Sequence, residues 1–195
     1  MRRAAPWLAA LALVVVLVIG VVQAGGGSSE TSSDESPSLS DMKRDLSGAP
    51  GPLAALHGRA ATLETGGGET AYRRELRQLE GYPVVVNAWG SWCGPCKLEF
   101  PIFARVATKL GKRVAFVGLN VNDNNEQARA FLGKSPVPYP SFEDGNSRIV
   151  QQEGAIGGLP VTIFYDKNGK RMFTHQGGYK NDADLEADIR RYAGA

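Results

Sequence analysis

A chain of 195 residues, 43% hydrophobic and 22% charged, holds one globular domain with an appendage and lacks the length for a second domain of ordinary size. Its formal net charge is +2 with no long Lys/Arg run, which removes the basic footprint that phosphate-backbone binding requires, so no nucleic acid partner is expected. The two cysteines lie three positions apart and the only histidines are His57 and His175; this set neither closes a long loop nor supplies a zinc site, so redox chemistry is what remains and no metal or cofactor is expected.

In chain order, Met1-Arg2-Arg3 is a short basic start, followed over residues 4–22 by an uncharged run dominated by Ala, Leu, Val and Ile. Its length falls between the about 20 apolar residues that span a bilayer and the roughly 7–15 of a cleaved signal core. Val22-Gln23-Ala24 is an acceptable cleavage site, so residues 1–24 read as a signal peptide or a membrane anchor. Residues 25–40, GGGSSETSSDESPSLS, are polar and lack aromatics; they cannot bury enough apolar area to offset their ordering entropy and read as a flexible linker. Residues 41–195 are then one domain outside the cytoplasm, membrane-anchored or secreted, in a bacterial-type cell envelope where disulfide chemistry persists.

Within that domain, Leu53, Leu56 and Ala60 fit a short helix, and Glu69 to Leu79 a second with Tyr72, Leu76 and Leu79 on one stripe. The β-branched run from Pro83 to Trp89 predicts a strand that ends directly before Gly90-Ser91-Trp92-Cys93. Pro95 to Leu110 predicts a helix kinked by Pro101, Val114 to Val121 a buried strand, Glu126 to Leu132 a helix, and Pro136 to Pro140 an extended passage. Val161–Tyr165, the turn Asp166–Gly169 and a return strand Arg171–His175 make an antiparallel hairpin, and Asn181 caps a last helix over Asp182–Tyr192.

The chemistry lies in Trp92-Cys93-Gly94-Pro95-Cys96. Thiol–disulfide exchange needs an exposed thiolate that attacks and a second thiol close enough to resolve the mixed disulfide. Cys93 falls at the start of a helix, where free N–H groups and the helix dipole favour negative charge, and is the predicted nucleophile. Cys96, one turn inward under Trp89 and Trp92, is the predicted resolving thiol. Pro95 suits an early helix position because it has no N–H to lose.

Trp92 to Cys96 resembles the motif of the thioredoxin superfamily, and Val84 to Pro101, VVVNAWGSWCGPCKLEFP, is similar to its TlpA/ResA-like extracytoplasmic branch. The resemblance runs from about Tyr82 to the carboxy terminus and has a second landmark at Leu159-Pro160. It implies a thioredoxin fold: a βαβ unit plus a ββα unit, with a central mixed sheet flanked by helices, here carrying an amino-terminal helical elaboration over Pro52 to Leu79 that departs from the hairpin expected of the branch. It also implies that Pro160 is a cis proline facing the cysteines, that Leu159 pairs its backbone with bound substrate, and that Trp92 joins them in substrate binding. Asn87 stands six residues before Cys93, where thioredoxin proper has an aspartate, and Glu99 stands three residues after Cys96. By resemblance Glu99 is the acid/base that adjusts Cys96.

The function expected is reduction or exchange of protein disulfides, with cytochrome c maturation as the job the resemblance implies. The partners expected are protein thiol/disulfide substrates and a membrane electron donor, with the membrane itself reached through the amino-terminal segment if that stays uncleaved. A protein disulfide oxidant and a redox-inert module of the same fold are the alternatives; a peroxidase is disfavoured because a peroxidatic cysteine sits alone in a different loop. Lys97, His57, His175, Tyr139, Pro140 and Phe142 are expected to be surface or packing residues.

Overall fold

The Ser38 hydroxyl accepts the Asp41 N–H at 3.2 Å and starts helix α1, Leu39–Asp45. This helix begins inside the stretch expected to be a linker, so the folded unit reaches further toward the amino terminus than residue 41. The computed structural model describes residues 36–195; the signal or anchor segment and most of the linker lie outside the described residues. Helices α2, Gly51–Gly58, and α3, Gly68–Gln78, follow, separated by a two-residue strand β1, Leu63–Glu64. No helix among the described residues is long and apolar enough to cross a membrane.

The predicted βαβ unit is present as β2, Val84–Trp89; α4, Gly94–Leu110; and β3, Ala115–Val121. Helix α5, Asn125–Lys134, leads to a strand β4, Ser141–Asp144, and a short helix α6, Arg148–Gln152. The hairpin is β5, Val161–Tyr165, and β6, Arg171–Gln176. Helix α7, Asp182–Asp188, capped by Asn181, continues as a wider turn over Ile189–Ala193. One sheet runs β1-β4-β3-β2-β5-β6, parallel from β1 to β2 and antiparallel at β5 and β6. This is the mixed sheet of the thioredoxin fold, widened at one edge by β1 and β4.

Both faces of the sheet are covered, which is why every residue of β2, β3 and β5 is buried. Alternation splits β2: Val85 and Trp89 join α1, α4, α5 and α7 through Met42, Phe100, Phe103, Leu132 and Leu185, while Val84, Val86 and Ala88 pack with Leu53, Leu56 and Tyr72 on the other face. The amino-terminal helices therefore divide, α1 to one side and α2 and α3 to the other. Helix α4 runs on through Pro101 and is clamped to α7 by Arg105–Asp182 and Lys109–Glu186, each at 2.7 Å.

Strand β4 was not expected, because Pro136 to Pro140 before it reads only as an extended passage and only Phe142 in it is apolar. Tertiary pairing supplies what local propensity lacks. Gly118 in β3 has no side chain where a Cβ would lie 2.0 Å from Ser141 Oγ, and across that gap the Trp89 indole donates to Ser141 Oγ at 3.1 Å. Asp144, at the end of β4, is buried because it caps α6, accepting from the N–H groups of Ile149 and Val150.

Candidate dithiol active site

Strand β2 ends at Trp89 and the chain reaches α4 in four residues, which brings Cys93 to the helix N-cap and Cys96 one turn inside. The two form a disulfide, with S–S 2.01 Å and Cα–Cα 5.3 Å. Cys93 Sγ also accepts the Cys96 backbone N–H at 3.2 Å, one of the helix's otherwise unpaired donors. The motif predicts an exposed attacking sulfur; in this oxidised state Cys93 is only 4% exposed, because its sulfur is bonded inward to Cys96, which is 0% exposed. Trp89, T-shaped against Phe100 at 5.0 Å, belongs to the core cluster that holds both cysteines. Trp92 is 56% exposed.

Gly90 accounts for that placement. A Cβ there would lie 2.7 Å from Trp92 Nε1, so only glycine lets the indole fold back over the loop, where it donates to the Asn122 carbonyl at 3.0 Å. Beside it the Asp123 carboxylate accepts from the Ser91 N–H, from Ser91 Oγ at 2.6 Å, from Asn120 Nδ2 at 2.8 Å and from the Asn124 N–H at 2.8 Å. Burial alone would raise the Asp123 carboxyl; the donors from Ser91, Asn120 and Asn124 outweigh it and hold the group below the usual carboxylate range. Its contribution is therefore present above the ordinary carboxylate pKa and lost as pH falls through the depressed value. Asp123→Ala should lower stability by roughly 2 kcal/mol at neutral pH, read as a fall in the urea midpoint; an unchanged midpoint would show that the clamp holds nothing.

Glu99 follows Cys96 by three residues on the same helix face and is 0% exposed. Its Oε2 accepts the Tyr179 N–H at 3.1 Å, and its Oε1 has no hydrogen-bond partner among the described residues. Burial pushes the carboxyl up to about 8, with the Tyr179 N–H pulling the other way. The Leu159–Pro160 peptide bond is cis and Pro160 is buried. Gly178 lies between Pro160 and α4: a Cβ at Gly178 would sit 3.4 Å from both Glu99 Oε2 and Pro160 Cγ, and 3.9 Å from the Pro95 carbonyl. Asn87, 1% exposed, lies across from Thr162 in the β2–β5 pairing.

Trp92 and Leu159 both line a cleft of about 420 Å³ that also takes in Val150 and Gln151 of α6. The structure thus brings all six expected residues to one end of the sheet, Cys93, Cys96 and Glu99 on α4 and Trp92, Leu159 and Pro160 on loops. Asp123 and Tyr179 were not anticipated. An aspartate just past the carboxyl end of β3 was a usable signal, since such ends gather at the site in α/β folds; Tyr179 acts through its backbone and left none. Among the remaining residues, Lys97 Nζ lies 5.9 Å over the Phe131 ring. His57 is buried, His175 stacks on Tyr179 at 4.4 Å, and Tyr139 and Phe142 are core.

A model of the Redoxin family matches residues 59–189. Thiol-disulfide oxidoreductase ResA of Bacillus thuringiensis (strain Al Hakam) is 30% identical over 97 residues, 49% of this chain and 56% of that protein. Thiol:disulfide interchange protein DsbE of Pseudomonas aeruginosa is 33% identical over 102 residues, 52% of this chain and 54% of that one. The chain therefore spans little over half the length of these relatives. A crystal structure from Chlorobium tepidum, named for a thiol:disulfide interchange protein DsbE, superposes with a TM-score of 0.53 at 29% identity, covering 60% of this chain and 81% of that one.

Proposed function

Because the chain belongs to the Redoxin family, we propose that it is a thiol–disulfide oxidoreductase that reduces protein disulfides through Cys93 and Cys96. The observation that carries this is the Cys93–Cys96 disulfide at the amino end of α4, with Glu99 buried one turn below it and the Leu159-Pro160 loop against the same helix turn. In the reduced protein the Cys93 thiolate attacks one sulfur of a substrate disulfide; an S–S bond forms to Cys93 and the other substrate sulfur leaves as a thiolate. Cys96 then loses its proton and attacks Cys93 Sγ, which forms the bond seen here and releases the second substrate thiolate. Two electrons pass to the substrate in each cycle. Glu99 receives the Cys96 proton in this step and returns it when the disulfide is reduced again. Trp92, Leu159 and Pro160 hold the substrate: the Leu159 N–H and carbonyl have no backbone hydrogen-bond partner among the described residues, and an extended polypeptide can use both.

The setting proposed is extracytoplasmic, with residues 1–24 as signal or anchor and electrons drawn from a membrane dithiol donor. The TlpA/ResA-like resemblance supports apocytochrome c haem-site cysteines as the substrates. The test is the reduction potential of the Cys93–Cys96 couple in the full chain, equilibrated against thiol buffers. A value near or below about −270 mV fits a reductant, whereas one near about −120 mV would turn the assignment to a disulfide-forming oxidant.

A further inference from the structure

Glu99 depends on a single donor. Among the described residues its carboxyl accepts only the Tyr179 N–H, at 3.1 Å on Oε2, while Oε1 has no hydrogen-bond partner and the residue is fully buried. The backbone that carries this donor has little stiffness of its own. Tyr179 lies in the connection between β6, which ends at Gln176, and α7, which begins at Asp182, and directly follows Gly177, at φ 95°, and Gly178. Glycine is the residue that restricts its own dihedrals least. The Gly177 N–H on the Pro160 carbonyl at 3.0 Å anchors the start of the connection, and Asn181 at the cap of α7 anchors its end. Between them the anchor is the Tyr179 side chain.

That side chain is buried and held from three elements. Its phenol donates to Asp188 Oδ2 of α7 at 2.8 Å, a bond to a carboxylate and so of the stronger, charge-assisted kind. Its ring stacks on His175 of β6 with centroids 4.4 Å apart and meets Phe103 of α4 edge-on at 6.2 Å. His175 Nδ1 lies 3.3 Å from the same Asp188 oxygen, so one carboxylate draws in both members of the stack. The ionisable groups facing Tyr179 are thus Asp188 of α7, Glu99 of α4, His175 of β6 and Tyr192 in the turn after α7. A partly exposed pair, His175 and Asp188, is connected in this way to a carboxyl that water does not reach.

We infer that Tyr179 and Asp188 are positioning residues for the reaction: Asp188, backed by His175, anchors the Tyr179 phenol, and that anchor holds the Tyr179 N–H on Glu99 and sets how readily Glu99 takes the Cys96 proton. The inference rests on the role of Glu99 in the oxidoreductase reading. The carboxyl carbon resonance of Glu99, identified as the one that Glu99→Gln removes, would be followed against pH in the oxidised full chain, where no free cysteine titrates. The N–H favours the ionised carboxylate, so loosening it raises the midpoint. Tyr179→Phe, which keeps the ring, and Asp188→Ala, at a partly exposed position, should each raise it by about half a pH unit or more. The double variant should go no further than the larger single shift, because both changes cut the same anchor. The resolving rate at neutral pH, read in single-turnover reduction of a peptide disulfide, should fall about threefold with it. A midpoint unmoved in both single variants, or a double shift equal to their sum, would overturn the inference and leave Glu99 its role. A midpoint that moves while the resolving rate stays would overturn Glu99 as the proton carrier and this inference with it.

Discussion

Cys93→Ser protein is expected to lose insulin-disulfide reduction down to the uncatalysed rate, while Cys96→Ser protein should accumulate a covalent mixed disulfide with its substrate through Cys93. The two cysteines are chemically alike, so the asymmetry must come from their places in the fold. Cys93 is the N-cap of a 17-residue helix and its sulfur already accepts the Cys96 N–H; the same N–H groups and dipole would favour a thiolate there over the about 8.5 of a free cysteine. Cys96 is enclosed, 0% exposed beside Trp89 and Phe100, and reaches substrate only through Cys93. Serine at position 93 keeps a good N-cap oxygen, and opening so small a loop removes only about 2 kcal/mol of chain-entropy stabilisation, so both variants should fold. Gel shift under non-reducing conditions reads the trapped species, and insulin turbidity reads the activity. Undiminished reduction by Cys93→Ser protein would sink the mechanism, and no reduction by the parent protein would leave a redox-inert module of the same fold.

The βαβ unit, the hairpin and the last helix were legible because their signals are local: β-branched runs at Val84–Val86 and Val161–Ile163, turn residues at Asp166–Gly169, and Asn181 before an amphipathic stretch. Strands β1 and β4 were not legible. Leu63–Glu64 is too short for any periodicity, and β4 exists because β3 and β1 pair with it on both sides. The same division holds in the site. Cys93, Cys96, Pro160 and Glu99 came from spacing and resemblance, but the clamp of Asp123 on Ser91 joins residues 32 apart, and the Tyr179 N–H on Glu99 bridges 80. Chain separation of that size carries no sequence pattern. The cleft beyond Trp92 was hidden for a related reason: α6 has only five residues and begins at Ser147 in a left-handed conformation, φ 58°, a backbone choice that side-chain type alone does not announce.

Glu99→Gln is expected to slow the resolving step by about a hundredfold, at the lower end of what a positioned acid/base contributes, and to erase an inflection near pH 8 in its rate. The amide keeps an oxygen for the Tyr179 N–H but cannot take or return a proton. A carboxyl pushed up to about 8 by burial can both take up and give back a proton near neutral pH, which is the condition for efficient transfer in both directions. The neighbouring phenols do not compete for that inflection: burial holds Tyr139 well above its ordinary range, and burial with the hydrogen bond and charge of Asp188 does the same for Tyr179. The same shift sets a stability signature. Below about pH 4.5 the carboxyl is protonated whether the chain is folded or not, and the fold loses nothing. From there to about pH 8 the unfolded chain releases the proton while the folded one retains it, so stability falls with rising pH by up to roughly 5 kcal/mol, and levels off above. Urea unfolding of the oxidised protein at pH 5 and pH 8.5 separates this from thiol titration, since no free cysteine is present. The difference in stability between Glu99→Gln and the parent should move in favour of the variant as pH rises. Parallel curves would mean that Glu99 titrates as an ordinary carboxylate, and would remove it as the proton carrier for Cys96.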